Sequence, residues 1–256
     1  MENLPARLAE ILASRLGSET FTLYLYGSAV LGDFRPGWSD LDILCLTAWP
    51  LSPDTADRLV LLRQTLAEEE QEPGFRLFEG GITPFAAFLD GLPALSVYWG
   101  TSGQRLTDTY SLDPFSLRSL LDDGLLLHGD DIRPRLRPPS RDELRDAVAS
   151  HLRTVRAYGV QPGRSIHGAG WMLDIARGLY TLHTGRILSK TAAGEWVLRE
   201  GLAPDPPALE RVLAIRREPL RYRNDPGALD FIASLGPAVA AFAAVLEATL
   251  SGSTPH

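Results

Sequence analysis

The chain has 256 residues, enough for one large or two modest domains, and its 45% hydrophobic and 22% charged residues are ordinary for a globular protein. A net charge of −7 speaks against a general nucleic-acid binder, which needs a basic surface, and suits a cationic small-molecule substrate. The single cysteine, Cys45, excludes an internal disulfide and is predicted to be a core thiol. The first residues lack a signal-peptide pattern, and Gly236 and Pro237 interrupt the most apolar stretch, so we predict a cytoplasmic protein without a membrane span.

The elements of the first half follow from the spacing of the apolar residues, which is close to 3.6 in helices and 2 in strands. In chain order they are a helix over 4–16, strands over 21–26 and from 40, a helix from 53, strands over 75–82 and 95–99, and a helix over 117–127 with a strand-like end. The strand over 95–99 is a candidate edge strand. These elements predict a first domain, residues 1–132, in which helices flank a mixed sheet.

The second half shows helical patterns only. Three prolines and three arginines within residues 133–139 predict a linker, so the second domain is expected over residues 140–256. Ser140, with Glu143 three residues later, has the pattern of a capping box. Further helices are predicted over 167–183, from Ser189, from Pro206, and over 226–250 with a break at Gly236. The predicted fold class is therefore α+β, a sheet domain followed by a helical bundle.

A Gly-Ser pair follows the first strand, and an Asp-x-Asp pair begins the second. Asp40 and Asp42 point to the same face of their strand because side chains two apart do so. Two carboxylates side by side are costly unless a cation joins them, and Mg²⁺ is usually held by one or two carboxylates plus substrate phosphates. Gly27 allows a phosphate to approach the backbone, and Ser28 heads a turn whose free N–H groups attract anions. The stretch from Gly27 to Asp42 therefore predicts a site that binds phosphate and a metal ion.

Three further charged residues stand out against their local pattern. Lys190 lies in the first turn of a helix, where a cation opposes the helix dipole, and Arg216 interrupts an apolar helical stripe. Both would suit an anion, although a solvated lysine and a snorkelling arginine remain open alternatives. Glu79 interrupts an apolar strand beside Gly80 and Gly81, two glycines that we expect to leave room for a substrate. Glu79 is our candidate general base, and Asp90 is the alternative.

These motifs resemble those of a known group of enzymes. The Gly27-Ser28 turn and the Asp40-x-Asp42 pair resemble the signature of the nucleotidyltransferase superfamily. The run from Thr184 to Trp196, Thr-Gly-x-Ile-x-x-Lys-x-x-Ala-x-x-Trp, is similar to the helical domain of the aminoglycoside adenylyltransferases that modify streptomycin and spectinomycin. The resemblance implies ATP- and Mg²⁺-dependent transfer of AMP to a hydroxyl of a small cationic acceptor, such as an aminoglycoside or aminocyclitol. It also implies a role in antibiotic resistance.

The resemblance also implies roles for single residues. Asp40 and Asp42 would hold Mg²⁺, two ions in all, and Glu79 would be the general base. Gly27, Ser28, Lys190 and Arg216 would bind the nucleotide, and Asp174 and Glu195 are the candidate acceptor contacts.

The chain departs from the family pattern in one respect. Streptomycin modifiers have two acidic residues, four apart, in the helix after the lysine, whereas here Thr191 stands at the first position and Glu195 at the second. The acceptor therefore stays open. The alternatives are a nucleotidyltransferase that acts on a protein or another metabolite, and a nucleotide-binding module without turnover. No nucleic-acid or membrane partner is expected, and the sequence does not define the nucleotide preference or the oligomeric state.

Overall fold

The protein, described here from a computed structural model over residues 4–16, 21–69, 73–100 and 103–252, forms two compact units. The first unit comprises the chain up to Val30 and from Asp40 to Pro138, and the second comprises Leu31–Ser39 and the chain from Pro139 onward. The short loop Leu31–Ser39 thus belongs to the helical unit, although both of its neighbours in sequence belong to the sheet unit. This loop joins the Gly-Ser turn to Asp40.

The first unit is built on a six-stranded mixed sheet. Its strands are β1 (Phe21–Tyr26), β2 (Leu41–Thr47), β3 (Phe78–Pro84), β4 (Ser96–Gly100), β5 (Gly103–Thr107) and β6 (Leu125–His128). The order across the sheet is β5-β4-β3-β2-β1-β6; β2 and β3 run parallel, and the other neighbouring strands are antiparallel. The mixed sheet confirms the predicted fold class of this unit.

Four helices accompany the sheet: α1 (Leu4–Leu16), α2 (Pro53–Glu69), α3 (Phe85–Asp90) and α4 (Pro114–Asp123). The central strands β1 and β2 are apolar on both faces, as expected for strands covered on both sides, and nearly all of their residues are buried. Cys45 is among these buried residues, as predicted, and burial raises the pKa of its thiol. The core of the unit therefore fixes the strands that carry the Gly-Ser turn and the Asp-x-Asp pair.

Two strand predictions were wrong in detail. Residues 75–77 belong to a 3₁₀ turn, Pro73–Leu77, and β3 begins only at Phe78, because Pro73 and Gly74 impose a tight turn. The strand β5 was missed, and it makes β4 an interior strand. Its single large apolar residue, Leu106, is 41% exposed, so β5 lacks the apolar alternation that marks a strand in sequence.

The second unit consists of helices joined by loops, and its described residues contain no strand. Its helices are α5 (Arg141–Thr154), α6 (Gly170–Thr184), α7 (Lys190–Arg199), α8 (Pro206–Arg217), α9 (Pro219–Tyr222), α10 (Pro226–Ala233) and α11 (Gly236–Leu250). Ser140 and Glu143 form the predicted capping box at the start of α5. Among the described residues no single helix is long and apolar enough to cross a membrane. The helices α10 and α11 meet this length and apolarity only when taken together, and a bend of 49° separates them.

Candidate active site

The turn that follows β1 is shaped by a glycine. Gly27 has φ +72°, in the left-handed region, and begins a 3₁₀ turn that ends at Ala29. A Cβ at position 27 would lie 2.1 Å from Oδ2 of Asp42, so a larger residue would collide with that carboxylate. The backbone of the turn and the Asp42 carboxylate are thus direct neighbours. The phosphate and metal roles assigned to them remain predictions.

Three carboxylates lie on the same part of the sheet. Asp42 of β2 pairs in parallel register with Glu79 of β3, so their side chains project to the same face, and Asp40 precedes Asp42 by two residues. All three are partly exposed. Within the described ranges no group of three or more His, Cys, Asp or Glu side chains is arranged to hold a metal ion by itself. The donor set instead fits Mg²⁺ held by Asp40 and Asp42 and completed by nucleotide phosphates.

Glu79 has a hydroxyl and a cation in its surroundings. The Tyr98 hydroxyl donates a hydrogen bond of 2.8 Å to Oε1 of Glu79. Nη1 of Arg63 donates to the carbonyl of Gly100 at 3.1 Å. Burial lowers the pKa of Arg63, while the negative charges of Glu79 and Asp40 act in the opposite direction. The carboxylates are therefore accompanied by one guanidinium.

The glycines beside Glu79 do not leave room for a substrate, contrary to our expectation. A Cβ at Gly80 would lie 1.9 Å from the carbonyl oxygen of Ile43, and one at Gly81 would lie 2.3 Å from the ring of Tyr110. Both glycines instead permit close packing, of β3 on β2 and of Tyr110 on β3. Tyr110 is hydrogen-bonded to Tyr26, and burial raises the pKa values of both. The two hydroxyls are therefore uncharged.

In the helical unit, Lys190 is paired with Asp174. The Lys190 Nζ lies 2.9 Å from Oδ1 of Asp174, and the two side chains are 27% and 19% exposed. Burial raises the pKa of Asp174, but the charges of Lys190, Arg177 and His151 outweigh it, so the pKa lies below its ordinary value. Asp174 therefore stays ionised and holds Lys190 in place. Its predicted contact with the acceptor remains a prediction.

The N-terminus of α7, the helix that begins with Lys190, binds a carboxylate of the chain itself. Asp33 accepts hydrogen bonds from the backbone N–H of Thr191 (3.2 Å) and from its hydroxyl (2.7 Å). Arg216 completes the contact, since its Nη2 donates to Asp33 at 2.9 Å and the two side chains are only 2% and 4% exposed. Arg216 thus neither snorkels nor lies in solvent.

The charges within this buried cluster stabilise each other. Burial raises the pKa of Asp33, but the hydrogen bond from Thr191 and the charge of Arg216 outweigh this effect. The pKa of Asp33 therefore lies below its ordinary value. Nη1 of Arg216 is buried and makes no hydrogen bond within the described part of the chain. The guanidinium also lies over the ring of Trp38, 5.2 Å from its centroid. The loop Leu31–Ser39 is therefore anchored on α7 and α8.

Sequence reasoning missed Asp33. It follows Gly32 in a segment that reads as an ordinary turn, and nothing in its spacing points to a partner 183 residues away. Glu195, the second candidate acceptor contact, is half-exposed and forms an ion pair of 2.6 Å with Arg217. The nucleotide and acceptor roles assigned to single residues remain predictions.

Comparison with known proteins identifies the chain. Residues 6–75 match the nucleotidyltransferase domain family, and residues 136–222 match the C-terminal domain of the aminoglycoside adenylyltransferases. The solved structure of spectinomycin adenyltransferase AAD(9) from Enterococcus faecialis, with ATP and spectinomycin, is similar with a TM-score of 0.63. The sequences are 16% identical, and the match covers 96% of this chain and 98% of that one. At this identity the likeness shows the fold alone.

Residues 6–75, the segment that contains the Gly-Ser turn and the Asp-x-Asp pair, match a nucleotidyltransferase domain. Residues 136–222 match the C-terminal domain of the aminoglycoside adenylyltransferases, and with both matches the chain is an adenylyltransferase. Both family resemblances noted in the sequence are thereby confirmed.

Proposed function

We propose that the protein transfers AMP from ATP to a hydroxyl group of a small cationic aminocyclitol. The observation that carries this proposal is the placement of the Asp42 carboxylate against the Gly27 turn and in register with Glu79. A phosphate held at the turn would adjoin the two aspartates, and an attacking hydroxyl would have a third carboxylate within reach. Two Mg²⁺ ions bound by Asp40 and Asp42 would stabilise the charge that develops on the phosphates.

The chemistry is an in-line displacement at the α-phosphorus. The acceptor oxygen forms a bond to the α-phosphorus as the bond to the oxygen that bridges to the β-phosphate breaks, and pyrophosphate leaves with that electron pair. The acceptor hydroxyl gives its proton to Glu79, the carboxylate that is not committed to the metal. Glu79 is partly exposed, so an acceptor can approach it.

Lys190 and Arg216, the predicted phosphate ligands, both lie in the helical unit. Lys190 is fixed by Asp174 but remains 27% exposed, so its ammonium can contact a phosphate without losing its partner. Arg216 has two nitrogens committed to Asp33 and one, Nη1, without a hydrogen bond among the described residues. We assign phosphate binding to Lys190 first and to this Arg216 nitrogen second.

Spectinomycin is the first acceptor to test. The resemblance places an acidic residue of streptomycin modifiers at position 191, but here Thr191 donates its hydroxyl to the buried Asp33 carboxylate. An acid at 191 would place two buried carboxylates in contact, which is strongly unfavourable. Glu195 is half-exposed and can exchange Arg217 for a cationic acceptor. The structural relative was solved with spectinomycin, which supports the same choice.

The test is pyrophosphate release with ATP and Mg²⁺ across an acceptor panel that includes spectinomycin, streptomycin and an acceptor-free control. We expect release with spectinomycin and none with the Asp42→Asn variant. Release with no aminocyclitol, together with AMP found on co-expressed proteins by mass spectrometry, would overturn the proposed acceptor in favour of a protein substrate.

A further inference from the structure

The residue opposite Glu79 on the neighbouring strand β4 is a glycine. The strands β3 and β4 pair with Gly81 opposite Tyr98 and Gly80 opposite Trp99. Continuing this antiparallel register places Glu79 opposite Gly100. Because side chains two apart share a face, Glu79, Gly81, Tyr98 and Gly100 all lie on one face of the sheet. On β4, therefore, no side chain lies directly across from Glu79, whereas on β2 its neighbour is Asp42.

The Tyr98 side chain occupies the space that Gly100 leaves. A Cβ at position 100 would lie 2.1 Å from the Tyr98 hydroxyl, so the ring lies along its own strand, over Gly100. From there the hydroxyl reaches Oε1 of Glu79 at 2.8 Å. A diagonal pair across an antiparallel ladder is within reach of an aromatic side chain.

The ring of Tyr98 is held from its other side. Arg105 of β5 pairs with Tyr98 of β4, and its guanidinium lies 4.2 Å from the ring centroid. Arg63 binds the carbonyl of Gly100, the residue whose missing side chain makes room for the hydroxyl. The ring is thus packed against Arg105, and its hydroxyl is directed over Gly100 to Glu79.

We propose that Tyr98 is a positioning residue for the general base: its hydroxyl holds the Glu79 carboxylate in one orientation. This inference rests on the proposed role of Glu79 in AMP transfer. With Oε1 bound by the Tyr98 hydroxyl, the other carboxylate oxygen, Oε2, is left to accept the proton of the acceptor.

The experiment measures kcat and KM with a working acceptor at one fixed pH, for the wild type and for Tyr98→Phe. The variant keeps the ring and its packing on Arg105 but removes the donor. We expect kcat to fall about tenfold, because the hydrogen bond to a charged group is lost. KM for the acceptor should change much less, since the acceptor itself keeps its contacts.

Two further variants separate a hydrogen bond from packing. Gly100→Ala retains the tyrosine but displaces its hydroxyl, so it should also lower kcat. Tyr158→Phe removes a hydroxyl from a ring that is 67% exposed in the other unit, and its kcat should match the wild type. Thermal unfolding and ATP affinity, measured alongside, should be close to wild type for Tyr98→Phe.

Two outcomes would overturn the inference and can be told apart by a fourth variant, Glu79→Gln. If Tyr98 acts through Glu79, then Tyr98→Phe should cause no further loss in the Glu79→Gln background. If Glu79→Gln is slow but Tyr98→Phe lowers kcat by the same factor in both backgrounds, then Tyr98 only packs and the proposed base stands. If Glu79→Gln turns over at the wild-type rate, the proposed base itself is wrong, and the role of Tyr98 falls with it.

Discussion

The buried pair of Asp33 and Arg216 should contribute strongly to stability. The Asp33 carboxylate accepts hydrogen bonds from Thr191 and Arg216, and both members of the ion pair are almost completely buried. Removing one member of such a pair leaves the other charge buried without compensation, which typically costs about 3–5 kcal/mol. We therefore expect Asp33→Ala and Arg216→Met each to lower the free energy of unfolding by about this amount.

A double-mutant cycle in urea, followed by circular dichroism, measures this interaction. The double variant removes both charges, so it should cost less than the sum of the single changes by about 2 kcal/mol. The matched control is Glu218→Ala, which breaks an exposed ion pair with Arg221 and should cost no more than about 1 kcal/mol. An Asp33→Ala protein whose urea midpoint matches the wild type, at an unchanged m-value, would refute the reasoning.

Three other outcomes are expected. Asp42→Asn should abolish turnover while circular dichroism stays unchanged, because a neutral amide cannot replace a carboxylate that holds Mg²⁺; an active variant would place the metal elsewhere. Lys190→Ala should weaken binding of a non-hydrolysable ATP analogue in isothermal titration, most at low salt, whereas unchanged affinity would remove Lys190 from the nucleotide site. The pKa of Asp33 is lowered in the folded protein, so its contribution to stability is present above the pKa of the unfolded state and is lost as the pH falls through the pKa of the folded state. In Asp33→Asn the free energy of unfolding should therefore depend less on pH in the acid range. An unchanged acid transition would contradict this.

The sequence was sufficient for the features that depend on local patterns. The strand Phe21–Tyr26, the turn at Gly27 and the capping box at Ser140 are read from apolar spacing, glycine and a capping pair within a few residues. Such signals act over short distances, so they survive in the folded protein. The Asp-x-Asp pair was informative for the same reason, since its spacing sets which face of the strand the carboxylates share.

The features that the sequence did not reveal depend on contacts between distant residues. Asp33 meets Arg216 across 183 positions, and no local pattern distinguishes it from a solvated turn residue. Tyr98 reaches Glu79 only because Gly100 lies opposite it, which requires the register of two strands. The same holds for Gly81, which we interpreted as open space and which instead carries the ring of Tyr110.

The most direct test of the proposed reaction is the fate of a radiolabel placed on the α-phosphorus of ATP. With Mg²⁺ and spectinomycin, we predict that this label moves to the acceptor, and that label on the β- or γ-phosphorus is recovered as pyrophosphate. Label from the γ-phosphorus on the acceptor would mean phosphoryl transfer instead, and would contradict the assignment of AMP transfer to the site formed by Gly27, Asp42 and Glu79.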